Sequence, residues 1–242
     1  MSKKNKKNQQ NLSYRKKTKE VSPFHNHSSL NHILQQALTL HQAGRLFEAK
    51  ALYNQILISE PNHFDALHLL GVIAHQEEKH DIAVELIQKA LKCLPDFAPA
   101  YSNLGAALKD HGKLDEAVTS YRQAIALNPD NAEAHNNLGV LLSELGKLDE
   151  AIACYKMAIS LKPGYAAAYN HLSAIVKYTE TDDVIKVMEY LYKKKVDISE
   201  ADRINLGFAL GKIFEDLGDF DKSFNFILEA NQLKRRLFNY SI

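Results

Sequence analysis

Residues 103–129 read NLGAALKDHGKLDEAVTSYRQAIALNP, and residues 137–163 read NLGVLLSELGKLDEAIACYKMAISLKP. The second string starts 34 residues after the first, and 15 of the 27 aligned positions are identical. A fixed period of this size constrains the fold more than any other feature of the chain. Each copy is one supersecondary unit that cannot bury its apolar surface alone, so copies must stack. With 98–131 and 132–165 as units, fainter copies extend backwards. Residues 64–97 carry Leu70-Gly71, Ala83, Ala90 and Pro95, and residues 30–63 carry Gly44, Ala49, Tyr53 and Pro61.

Within one unit the spacing predicts two helices. Tyr101, Leu104, Gly105 and Leu108 fall at i, i+3, i+4 and i+7, one stripe of a helix. Ala117, Val118, Tyr121, Ala124 and Ile125 form the stripe of a second. Gly112 lies between them, where a helix end favours a left-handed residue, and Gly44, Gly146 and Gly218 occupy the equivalent turn. Gly105 and Ala117 are small where two backbones approach, and Pro129 separates one hairpin from the next. The acidic pairs Asp115/Glu116 and Asp149/Glu150 open second helices, where they complement the helix dipole.

This pattern resembles the tetratricopeptide repeat: Tyr101, Leu104, Gly105, Ala117, Tyr121, Ala124 and Pro129 in one unit, His135, Leu138, Gly139, Ala151, Tyr155, Ala158 and Pro163 in the next. The resemblance implies an all-α, right-handed superhelical solenoid of helix hairpins whose first helices line an inner groove. Four units are expected over 30–165, a degenerate fifth with an insertion over 166–203, and a sixth hairpin over 204–237. In the fifth unit, 166–178 reads as a first helix and roughly 182–195 as a second that has lost its small alanines. Ser199 with Asp202 reads as a capping box.

Composition fits a globular chain: 45% hydrophobic and 24% charged residues. No apolar run approaches the roughly 18 residues of a membrane span, and the N-terminus has no apolar core like that of a secretory signal, so a cytoplasmic location is expected. The net charge of +1 conceals an asymmetry. Residues 1–20 hold eight Lys or Arg and one acid, whereas the rest hold 22 basic and 28 acidic groups. Residues 1–28 are therefore read as a disordered, solvating basic tail, with nucleic acid or anionic lipid as the second reading of Lys3–Lys19. Cys93 and Cys154 are isolated thiols without metal-ligand spacing.

No constellation for catalysis emerges, and neither enzyme activity nor a cofactor nor a bound metal is expected. Phosphate loops, dinucleotide fingerprints and nucleophile elbows are absent. His68, His75 and His80 cluster without His-Glu-x-x-His spacing, and no carboxylate or Cys in the sequence pattern completes a set, so they read as solvated or groove-lining. In the repeat family, positions 2, 5, 6, 9, 12 and 13 face the groove. Here position 6 is Asn103 and Asn137, and position 5 adds Asn136 and Asn170. An amide side chain both donates and accepts, which suits it to gripping the backbone of an extended peptide. The arrangement resembles the asparagine ladder of the O-GlcNAc transferase repeat domain, although position 6 elsewhere is Gln35, Leu69 and His171. The groove positions of the first four units hold no Lys or Arg except Lys109, so a carboxylate clamp of the chaperone-tail type is not expected.

Residues 168–178 and 205–236 resemble the junction segment of bacterial repeat-containing sulfotransferases, in which such repeats precede a catalytic domain with a Pro-Arg-Ser-Gly-Thr-Thr loop. That loop does not occur in this chain. The reading is thus a protein–protein interaction scaffold that binds an extended peptide or partner in the groove through Asn103, Asn136, Asn137, Asn170, His171 and Lys109. The alternative is the targeting region of a sulfotransferase or glycosyltransferase whose catalytic domain lies outside the chain. The oligomeric state is left open.

Overall fold

The computed structural model describes residues 28–194 and 198–238. The tail reading of residues 1–28 falls outside them, apart from Ser28, which opens the first helix. Among the described residues there are twelve α-helices and no strand. The chain divides between Leu127 and Asn128 into two compact units.

The first unit holds α1 (Ser28–Gln42), α2 (Leu46–Ser59), α3 (Phe64–Gln76), α4 (His80–Cys93), α5 (Ala98–Asp110) and α6 (Leu114–Leu127). They pair as three antiparallel hairpins, and α2 also packs on α3, and α4 on α5. The second unit holds α7 (Ala132–Glu144), α8 (Leu148–Leu161), α9 (Ala166–Ser173), α10 (Asp183–Lys193), α11 (Glu200–Asp216) and α12 (Phe220–Phe238). The all-α class and the hairpin stacks thus follow the expectation from the 34-residue period.

The small residues act as predicted. A Cβ at Gly105 would stand 2.9 Å from the Tyr121 ring, and one at Gly139 only 2.7 Å from Tyr155. Each glycine lets an aromatic ring of the second helix lie against the backbone of the first, closer than any other residue permits. The closing prolines have a further use. The His135 ring nitrogen lies 3.0 Å from the Pro129 carbonyl, and the Tyr169 hydroxyl donates to the Pro163 carbonyl at 3.1 Å. In these two repeats the opening ring therefore satisfies a carbonyl left over at the end of the previous one.

Four hairpin turns use glycine in the left-handed region: Gly44, Gly112, Gly146 and Gly218, with φ between 72° and 83°. The second hairpin has Glu78 there instead, at φ 63°. Its hydrogen bonds match those of the glycine turns: Glu78 N–H donates to His75 O at 3.0 Å, and Lys79 N–H to Ala74 O at 2.9 Å.

The fifth unit departs from the pattern. The predicted first helix over 166–178 stops at Ser173, and Thr179 to Asp182 form a turn in which Asp182 Oδ2 accepts from the Thr179 N–H at 2.6 Å. Position 8 of this unit is Ser173, not glycine, and its hydroxyl donates to the Asn170 carbonyl at 3.0 Å, competing with the helical ladder. α9 packs on α8 and α11, and α10 packs on α11. Tyr169, Met188, Tyr192, Leu210 and Ile213 share one buried cluster there. Ser199 caps α11 through its hydroxyl, which accepts the Asp202 N–H at 3.1 Å, so that helix begins at Glu200.

Candidate functional site

The six residues singled out for the groove all lie on first helices, but they do different work. Asn103, half-buried on α5, donates from Nδ2 to His68 Nε2 on α3 at 2.9 Å. Asn136, 5% exposed on α7, accepts at Oδ1 from His171 Nδ1 on α9 at 3.0 Å. In both pairs position 5 of one repeat meets position 6 of the next, 35 residues on. These two asparagines hold adjacent hairpins together. That bonding was invisible in a pattern read one repeat at a time, since each partner lies in the neighbouring repeat.

The histidines of these rungs are buried or half-buried among aromatic rings. His68 is 4% exposed, stacks on Phe64 at 5.6 Å between ring centres and meets Phe97 edge-on at 5.6 Å. It is thus part of the packed interior, so of the two roles expected from sequence, solvated or groove-lining, the solvated one does not hold. His171 lies 5.5 Å from the Tyr155 ring. Burial pushes the Tyr155 hydroxyl up to about 12, so this ring stays neutral across physiological pH.

Asn137 on α7 and Asn170 on α9 differ from the rung asparagines. Both are half-buried, and neither side chain makes a hydrogen bond among the described residues, although the Asn170 carbonyl accepts from Ser173. Lys109 is half-buried in the last turn of α5, and its carbonyl accepts from the Gly112 N–H of the following turn.

A second constellation was not legible in the sequence. His75 at the end of α3, His80 at the start of α4 and Asp110 at the end of α5 offer three ligand atoms within 4.8 Å of one another. The expectation that no carboxylate completes the histidine set is corrected: Asp110 comes from the next hairpin, 35 residues beyond His75.

Against known families, four repeat models match: a tetratricopeptide-repeat model over 34–98, another over 86–119, a TPR-repeat model over 107–146 and a further tetratricopeptide-repeat model over 132–165. The chain carries tetratricopeptide repeats. Solved structures agree in fold. The pilF protein of Pseudomonas aeruginosa superposes with a TM-score of 0.65 at 21% identity, over 88% of this chain and 93% of that one. MamA superposes with a TM-score of 0.54 at 22% identity, over 84% of this chain and 97% of that one. A MamA fragment from Desulfovibrio magneticus RS-1 gives 0.58 at 18%, over 81% and 97%. An uncharacterized protein of Aquifex aeolicus (strain VF5) is 35% identical over 63 residues, 26% of this chain, and the match spans only 8% of that relative's length. These likenesses support the tetratricopeptide reading and lend nothing to the sulfotransferase resemblance of 168–178 and 205–236. No helix among the described residues is long and apolar enough to cross a membrane.

Proposed function

We propose that this tetratricopeptide-repeat chain is a protein-interaction scaffold that holds an extended segment of a partner protein, binding rather than transforming it. The observation that carries this reading is the division of labour among the asparagines. Asn103 and Asn136 are consumed by bonds between repeats, whereas Asn137 and Asn170 present amides with no protein partner among the described residues. A half-buried amide with both a donor and an acceptor to offer matches the alternating N–H and C=O groups of an extended backbone. The contact set within the second unit is thus Asn137 and Asn170, oriented by the Asn136–His171 rung. Lys109 is a separate contact on the first unit.

The test is a selection of peptides from a random display library on the full chain, followed by calorimetry of the best binder. Replacing Asn137 and Asn170 together by Ala is expected to weaken that peptide about ten-fold or more, with helicity and melting temperature unchanged. Asn136→Ala is expected instead to lower stability by about 1–3 kcal/mol, because it leaves the half-buried His171 imidazole without its Asn136 partner. Equal peptide affinity in the double variant and the parent would remove the assignment. The targeting-region alternative rests on the sulfotransferase resemblance alone, and an open reading frame continuing into a Pro-Arg-Ser-Gly-Thr-Thr loop is the observation it requires.

A further inference from the structure

We propose that His75, His80 and Asp110 form a binding site for a divalent transition-metal cation of the zinc type. Three independent observations converge on it. The first is the donor set. Two imidazoles and one carboxylate lie with their ligand atoms within 4.8 Å of one another, and this mixture suits zinc and its neighbours better than magnesium or calcium, which take oxygen ligands. His75 Nε2 and Asp110 Oδ2 are already 2.8 Å apart. Zinc bonds of about 2.0–2.2 Å in tetrahedral geometry place neighbouring ligand atoms about 3.3 Å apart, so that pair opens slightly and the third atom closes in. The side chains have room to do so, at 26% exposure for His75 and 43% for Asp110.

The second observation is an unclaimed nitrogen. His80 Nδ1 is buried with no hydrogen-bond partner among the described residues. Buried polar atoms are ordinarily hydrogen-bonded, so this imidazole nitrogen keeps its bonding capacity unspent next to His75.

The third is the backbone that joins the two histidines. Among the described residues Glu78 is the single non-glycine residue with a left-handed φ, at the turn where four other hairpins use glycine. This turn brings His80 back against His75, their ring centres 5.5 Å apart. The neighbouring carboxylate, Glu77, is engaged by Lys50 and Lys79, each at 2.9 Å, so it neither competes for the cation nor leaves the turn loose. Left-handed conformations of ordinary residues concentrate where function over-determines the backbone.

Three protein ligands leave one tetrahedral position open to solvent, the arrangement of an exchangeable site and not of a closed structural one. Binding replaces the His75–Asp110 contact with bonds to the cation and ties the end of α5 to the turn between α3 and α4.

The experiment titrates Zn2+ into the full chain, free of any added histidine tag, by calorimetry at neutral pH, alongside three variants. Asp110→Asn changes an exposed residue, and His80→Gln removes the half-buried imidazole. His25→Gln with His27→Gln controls for the most closely spaced histidine pair in the sequence. One site is expected in the parent, weakened about ten-fold or more in D110N and in H80Q and unchanged in the control. Circular dichroism of each variant reports folding, and the exposed D110N keeps the test decisive if H80Q unfolds. Absence of binding in the parent, retention in D110N, retention in a folded H80Q, or loss in the control would each overturn the assignment.

Discussion

His41 shows how much a single buried group determines. It is 1% exposed at the end of α1, with Nδ1 3.4 Å from the Tyr53 hydroxyl. Burial lowers its pKa from 6.5 to about 4. The unfolded chain therefore takes up a proton below pH 6.5 that the folded chain refuses until about pH 4. The sign follows: stability falls as the pH drops through that window, by on the order of 3 kcal/mol at most. Urea titrations from pH 7 to pH 4 should show this loss in the parent. A His41→Gln chain, which keeps a hydrogen-bonding group beside Tyr53, should show a smaller one. The same residue scale explains what the sequence made legible. Gly105 and Tyr121 lie 16 positions apart in one hairpin, so their contact can be read from the stripe of each helix. His68 and Asn103, or His75 and Asp110, meet across hairpins. Their partnership depends on how one repeat is turned against the next, which no local spacing encodes.

Among the elements, the turns are the most uniform part of the design and the second hairpin breaks them. Glu78 holds the left-handed conformation with a full side chain, which costs about 1–2 kcal/mol relative to the right-handed basin. Glu78→Gly removes that strain, partly offset by the greater freedom glycine gains when unfolded. A net gain of about 0.5–1 kcal/mol is expected, read as a higher urea midpoint with an unchanged slope. The helices themselves were largely predictable because their period is strong. The exception is 174–178, where the apolar stripe runs on in sequence but the helix ends at Ser173, and nothing in the spacing of the residues marks the stop.

For the molecule as a whole, stacking of like units makes stability a sum of neighbour terms. Tyr53 is fully buried in the first unit, in a cluster with Leu34, Ile56, Leu69 and Ile73. Tyr53→Ala should cost about 3–5 kcal/mol there. Hydrogen exchange is expected to speed up in α1–α3 while α11 and α12 keep their protection. Uniform loss of protection along the chain would show that the array unfolds as one cooperative body instead.

The rungs at positions 5 and 6 also limit how the units can be rearranged. Leu34 and Leu69 hold these places at one end, His68 and Asn103 follow, and Asn136 and His171 come later. The two hydrogen-bonded rungs carry the same chemistry in opposite order, histidine first in one and asparagine first in the other. Repeats that look almost interchangeable on paper therefore bear a label for the neighbour they accept. A shuffled array would set leucine against histidine or amide against leucine, so the order of the units is itself part of the message.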